Sequence, residues 1–96
     1  MTSTTAHVPT TNGSRYLQQL CKHWGHKFEV DFTPERGVVK LHAGVVTMVA
    51  HPEALDVTIS DAAEDDLPRL KDVVVKHIDR FAFREAPLAY DWNDAA

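Results

Sequence analysis

The spacing of the apolar residues changes period twice along this chain, and that constrains the fold more than any other feature. Tyr16, Leu17, Leu20, Cys21 and Trp24 recur at intervals of three and four. This is the stripe of a helix with one buried face. From Phe28 the interval drops to two: Phe28, Val30 and Phe32 alternate with Lys27, Glu29 and Asp31, the pattern of a strand buried on one side. Gly25 lies at the change and suits a helix stop. Three further strands are expected: Val38 to His42, Val45 to His51, and one carrying Leu55, Val57 and Ile59. The connections Thr33–Gly37, Ala43–Gly44 and Pro52–Glu53 are so short that the strands must run antiparallel. The helical period returns in Leu67, Leu70, Val73, Val74, Ile78 and Phe81 and stops before Pro87.

The flanks are less patterned. Ala6 to Pro9 reads as a short edge strand that Pro9 closes. Thr10 or Thr11 offers an N-cap hydroxyl to the first helix. Asp61 to Glu64 has capping-box spacing ahead of the second helix, whose first turn contains Pro68. Leu88, Tyr90 and Trp92 alternate, as in an extended strap lying on the domain. The expected fold is α+β: two helices packed on one face of a four- to five-stranded antiparallel sheet, in the order β-α-β-β-β-β-α. That order resembles half of a TATA-binding-protein-like fold. The likeness carries no function, and this chain lacks the basic sheet face that would grip DNA.

A chain of 96 residues makes one domain. It is placed at residues 6–92, with residues 1–5 and 93–96 expected to be disordered. Hydrophobic residues are 44% and charged residues 25%, the balance of a folded globule. The net charge of −4 argues against nucleic acid, whose binding depends on neutralising phosphates. No apolar run is long enough for a membrane helix, and the polar start lacks a signal-peptide core. Cytoplasm is the expected location. The single cysteine, Cys21, excludes an internal disulfide.

Two strings are distinctive. Ser14 to Phe28 contains LCKHWGHKF, and Val74 to Glu85 contains HIDRFAFRE. With Gly44 and Thr47 of the hairpin region between them, they resemble the bacterial domain-of-unknown-function family 2218 from about Ala6 to Trp92. The resemblance implies no established activity. It does imply a context, since some members occur beside siderophore-utilisation genes. Gly13, in the first helical turn, departs from what a helix would favour.

Lys22, His23, His26 and Lys27 crowd the end of the first helix, and His77, Arg80 and Arg84 form a basic strip along the second. Cations complement the dipole at a helix C-terminus, which explains part of this pattern. The remainder suggests a patch that attracts a carboxylate or phosphate through Arg forks. His23 and His26, at i, i+3, also share a helix face. With His77 they form an alternative set for a metal or for catalysis. Glycine-rich phosphate loops, GxSxG, CxxC and HExxH are all missing. A Cys21–His77 nucleophile pair is the nearest approach to a catalytic arrangement. The reading is therefore a non-enzymatic binding or accessory domain, needing no cofactor, for a small anion or a partner protein. The open sheet face, with Lys27, Glu29, Lys40, His42, Thr47, Val49, His51, Asp56 and Thr58, is the surface a homodimer would use.

Overall fold

The chain runs β1 (Thr2–Pro9), α1 (Gly13–Trp24), β2 (Glu29–Phe32), β3 (Arg36–Leu41), β4 (Gly44–His51), β5 (Ala54–Ala62), α2 (Leu67–Phe81) and β6 (Trp92–Ala95). A short 3-10 turn, Glu64–Asp66, leads into α2. This is a computed structural model, and it describes residues 2–95. All six strands form one sheet in the order β2-β3-β4-β5-β1-β6, and every neighbouring pair is antiparallel. No helix among the described residues is long and apolar enough to cross a membrane.

Strand alternation sorts the side chains. Ala6, Val8, Val39, Val46, Met48, Leu55, Val57 and Ile59 are fully buried. They meet Leu17, Leu20, Cys21 and Trp24 of α1 and Leu70, Val74 and Ile78 of α2 in one core. Both helices therefore cover the same face. The other face carries short polar pairs: Lys40 bridges Glu29 at 2.8 Å, and the Thr5 and Thr58 hydroxyls bond at 3.1 Å.

The structure corrects the sequence reading at both ends of the chain. The sheet has six strands rather than four or five, because the segments expected to be disordered pair with each other. Ser3 to Ala6 of β1 aligns with Trp92 to Ala95 of β6. Ala6 is thus flanked by both β5 and β6, whereas His7 to Pro9 pair with β5 alone, as an edge would. The outer residues of those segments, Met1 and Ala96, lie outside the described residues. The strap is present. The Tyr90 hydroxyl donates to Asp79 at 3.0 Å, and the Leu88 amide donates to the same carboxylate. Tyr90 stacks on Trp92, and Lys71 of α2 pairs with Asp94 at 2.8 Å.

Local signals were also redirected. Neither helix has a side-chain N-cap bond, because the polar groups ahead of α1 are used elsewhere. The Thr10 hydroxyl accepts from the Asn12 amide and donates to Glu85, and the Asn12 side chain also donates to Glu85 at 3.1 Å. The β3–β4 turn is His42–Ala43, one residue earlier than expected, and Gly44 opens β4.

Two glycines are required by close approach. A Cβ on Gly37 of β3 would lie 2.7 Å from the Cys21 sulfur and 3.3 Å from Leu17 Cδ2, so α1 sits on bare backbone there. A Cβ on Gly13 would lie 3.2 Å from both the Ala54 carbonyl oxygen and Leu55 Cβ. That explains a glycine in the first turn of a helix.

Gly37→Ala should therefore destabilise the fold by about 1–3 kcal/mol through overpacking. Cys21→Ala in the same chain should recover part of the loss, because it removes the obstructing sulfur. Urea midpoints of the wild type, both single variants and the double variant check this. Additive losses would show that the two sites do not touch.

Candidate functional site

Opposite senses of the two helices create the site. Near the start of α1, Tyr16 donates a hydrogen bond to Glu85, beyond the end of α2. One to two turns on, the His23 ring lies 5.9 Å from Phe81 and 5.6 Å from His77, and Trp24 lies 5.1 Å from His77. Rising numbers on α1 thus meet falling numbers on α2. Where α1 ends, a gap remains between its last turn, the middle of α2 and the β3–β4 turn.

That gap is a pocket of about 470 Å³. Trp24, Phe28, Leu41, Ala43, Leu70 and Val73 supply apolar walls, and His23, His26, Lys27, His42 and His77 supply the polar groups. No carboxylate lines it. His42 meets Phe28 edge-on with centroids 5.4 Å apart. His77 is half-buried, and its Nδ1 donates to the Val73 carbonyl at 2.6 Å. A carbonyl only accepts, so Nδ1 carries a proton, and in the tautomer with that proton alone the lone pair is on Nε2. Loss of water around His23 lowers its pKa, and His77, Arg80, His26 and Lys27 lower it further.

The expected basic patch is therefore divided. His23, His26, Lys27 and His77 line one pocket, and Arg80 lies close enough to His23 to depress its titration. Lys22 projects to the other flank of α1, beside Ser14, Arg15, Gln18 and Gln19. Arg84 lies over the Phe83 ring, in a depression with Arg15, Tyr16 and Glu85. Convergence of both helix ends on one sheet edge required helices running in the same sense. These run in opposite senses. Lys27 and His42, assigned from the sequence to the open sheet face, lie on the helical side.

The alternative metal set shares the pocket without forming a chelate. Among the described residues, no three His, Cys, Asp or Glu side chains are disposed to hold a metal ion. Cys21 does not join His77. It is fully buried against Gly37, and burial pushes its thiol pKa up to about 11, which leaves it protonated and unreactive at neutral pH.

Two polar clusters escaped the sequence reading. Glu85 accepts from Tyr16, Asn12 and Thr10, and these bonds hold its carboxyl below the usual range. On the open face, Asp56 accepts from His7 at 2.5 Å and from His51 at 2.9 Å. His7 and Asp56 are register partners across β1 and β5. His51 and Asp56 flank the Pro52–Glu53 turn. Neither relation can be seen before the strands are paired.

A family model described as an uncharacterized protein conserved in bacteria, DUF2218, matches residues 5–93. The NMR structure of PA4090 from Pseudomonas aeruginosa is similar at 39% identity and a TM-score of 0.81, over 97% of this chain and 96% of that chain. No curated protein matches.

The site makes a titration testable. NMR titration of the histidine ring protons should find His23 below the ordinary value of ~6.5. Arg80→Ala should move it upward, because a neighbouring cation is removed. The sign for stability follows from linkage. An unfolded His23 takes up its proton first, so its contribution falls as pH drops below the unfolded value. A His23 that titrates normally and ignores Arg80→Ala would contradict this electrostatic account.

Proposed function

The chain belongs to DUF2218, a family of uncharacterized proteins conserved in bacteria, and on that footing we propose that it is a small binding protein for an organic anion with an apolar body. One observation carries the reading: an apolar, aromatic-walled pocket of about 470 Å³ has cationic and imidazole groups at its polar positions and no carboxylate. Pockets of this size and lining are typical of small-molecule sites. A flat apolar body fits against Trp24 and Phe28. An anionic group is then within the influence of Lys27 and Arg80, with the histidines as hydrogen-bond partners. Lys22 and Arg84 are left out of this reading.

The siderophore-gene context of some family members is compatible with it, since aromatic carboxylates are building blocks of that ligand class. The element order supports a further reading of the sheet without β6 as half of a TATA-binding-protein-like fold, but this implies no ligand. A second reading, docking of a partner protein, has one observation in its favour: Phe83 is 72% exposed, at the far end of α2 from the pocket.

Amide NMR titration with benzoate, 2,3-dihydroxybenzoate and phosphate separates these readings. The aromatic acids should shift His23, His26, Lys27, Phe28, His42 and His77, and phosphate should shift them less. Added salt should weaken the shifts, and Lys27→Glu should weaken them by roughly tenfold, or about 1.4 kcal/mol. Silence of the pocket at millimolar aromatic acid would overturn the proposal.

A further inference from the structure

The ring of His77 is held as a metal ligand is held, in a pocket that offers a bare ion too few donors. Its Nδ1–H is committed to the Val73 carbonyl at 2.6 Å. Its Nε2 has no hydrogen-bond partner among the described residues. Histidines that ligate metals almost always donate their other ring N–H in this way, which fixes the tautomer and orients the lone pair. Yet no three ligating side chains converge among the described residues. A metal bound through His77 must then arrive already held by ligands of its own, with one coordination position open.

The walls constrain what those ligands are. Trp24, Phe28, Leu41 and Val73 present apolar surface, which favours a flat, largely apolar frame. Lys27 is at the rim, Arg80 is close by, and no carboxylate lines the pocket. The frame therefore carries negative charge at its edge. A metalloporphyrin with carboxylate side chains meets all of these conditions, and a single histidine is a sufficient protein ligand for its iron. We infer that this pocket takes a metalloporphyrin edge-in, with His77 Nε2 as the axial ligand and Lys27 and Arg80 facing its carboxylates. The inference rests on the reading of the pocket as an organic-anion site and names the ligand class.

Haemin added to the full chain tests it by absorption spectroscopy, and metal-free protoporphyrin tests the pocket without ligation. The expected result is a Soret band shifted from that of free haemin, saturating at one haemin per chain. His77→Ala and His77→Gln should lose the ligated spectrum, with their fold verified by amide NMR. Free imidazole should restore the spectrum in His77→Ala. His7→Ala, on the opposite face of the sheet, should leave it unchanged. Lys27→Glu should weaken both porphyrins. An unshifted Soret band would overturn the inference, as would a shift equal in the wild type and both His77 variants. If protoporphyrin or the aromatic acids still shift the pocket resonances in that case, only the ligation falls and the anion reading stands. If nothing perturbs the pocket, both fall.

Discussion

The helical side of the sheet depends on how closely α1 approaches β3 at Gly37. A methyl group there would lie 2.7 Å from the Cys21 sulfur, and interiors packed like crystals do not absorb that overlap without moving the backbone. With no side chain in the way, α1 lies directly on the strand, and Leu17, Leu20 and Cys21 are fully buried. The helix axis is then fixed low over β3. Its last turn, with His23 and Trp24, arrives level with the β3–β4 turn. Gly44 repeats the device under α2, where a Cβ would lie 3.1 Å from Leu70 Cδ1. Both helices are thus seated at bare backbone on adjacent strands, and the pocket is the space left between the two seats.

Other contacts tie the helical layer together away from that pocket. At the opposite end, Glu85 gathers Thr10, Asn12 and Tyr16 and joins the exit of α2 to the entry of α1. Along the outer flank of α2, Asp79 holds the strap through Leu88 and Tyr90, and burial raises the Tyr90 pKa, so the phenol stays a neutral donor. Lys71 continues the line through Asp94 and the Trp92 ring. Carboxylates anchor the closed parts of the layer and are missing from the lining of the open part. A net-acidic chain in this way keeps negative charge out of the lining of this pocket.

Much of the fold was legible because hydrophobic period is a local signal. The stripe Tyr16–Trp24, the alternation in β4 and β5, and the stripe Leu67–Phe81 specified two helices and an antiparallel meander, and the short turns fixed its direction. The β1–β6 pairing was not legible: Thr2 to Thr5, Asn93 and Asp94 are polar, and their partner is nearly the whole chain away. The site was legible in part. His23, His26, Lys27 and His77 were singled out as residues in excess of what helix ends need. Their separation from Lys22 and Arg84 required the relative direction of two helices, which no local pattern encodes. His42 was missed because a hairpin turn placed at Ala43–Gly44 assigns it to the wrong face. Gly44 was read as a turn glycine, whereas no described glycine has a positive φ and this one is small to admit Leu70.

The histidines show how one residue type serves opposite roles on the two faces of this sheet. On the open face, His7 and His51 spend ring protons on Asp56. Their register satisfies a carboxylate that would otherwise face Val49 across the β4–β5 pair. Those imidazoles are consumed by structure. No carboxylate lines the pocket on the helical side, and the only described hydrogen bond from a pocket histidine is spent on a backbone carbonyl of its own helix. The bond orients the His77 ring, and loss of water together with nearby cations lowers the pKa of His23. The pocket therefore combines two features that a simple cationic patch lacks: imidazoles set among aromatic and aliphatic walls, and a lysine with no carboxylate in the lining. On the proposed reading, the requirement on a ligand that uses both is an electron-poor centre and an anionic edge in one flat molecule. That requirement distinguishes this site from the dipole-complementing helix end that the same residues would form on an isolated helix.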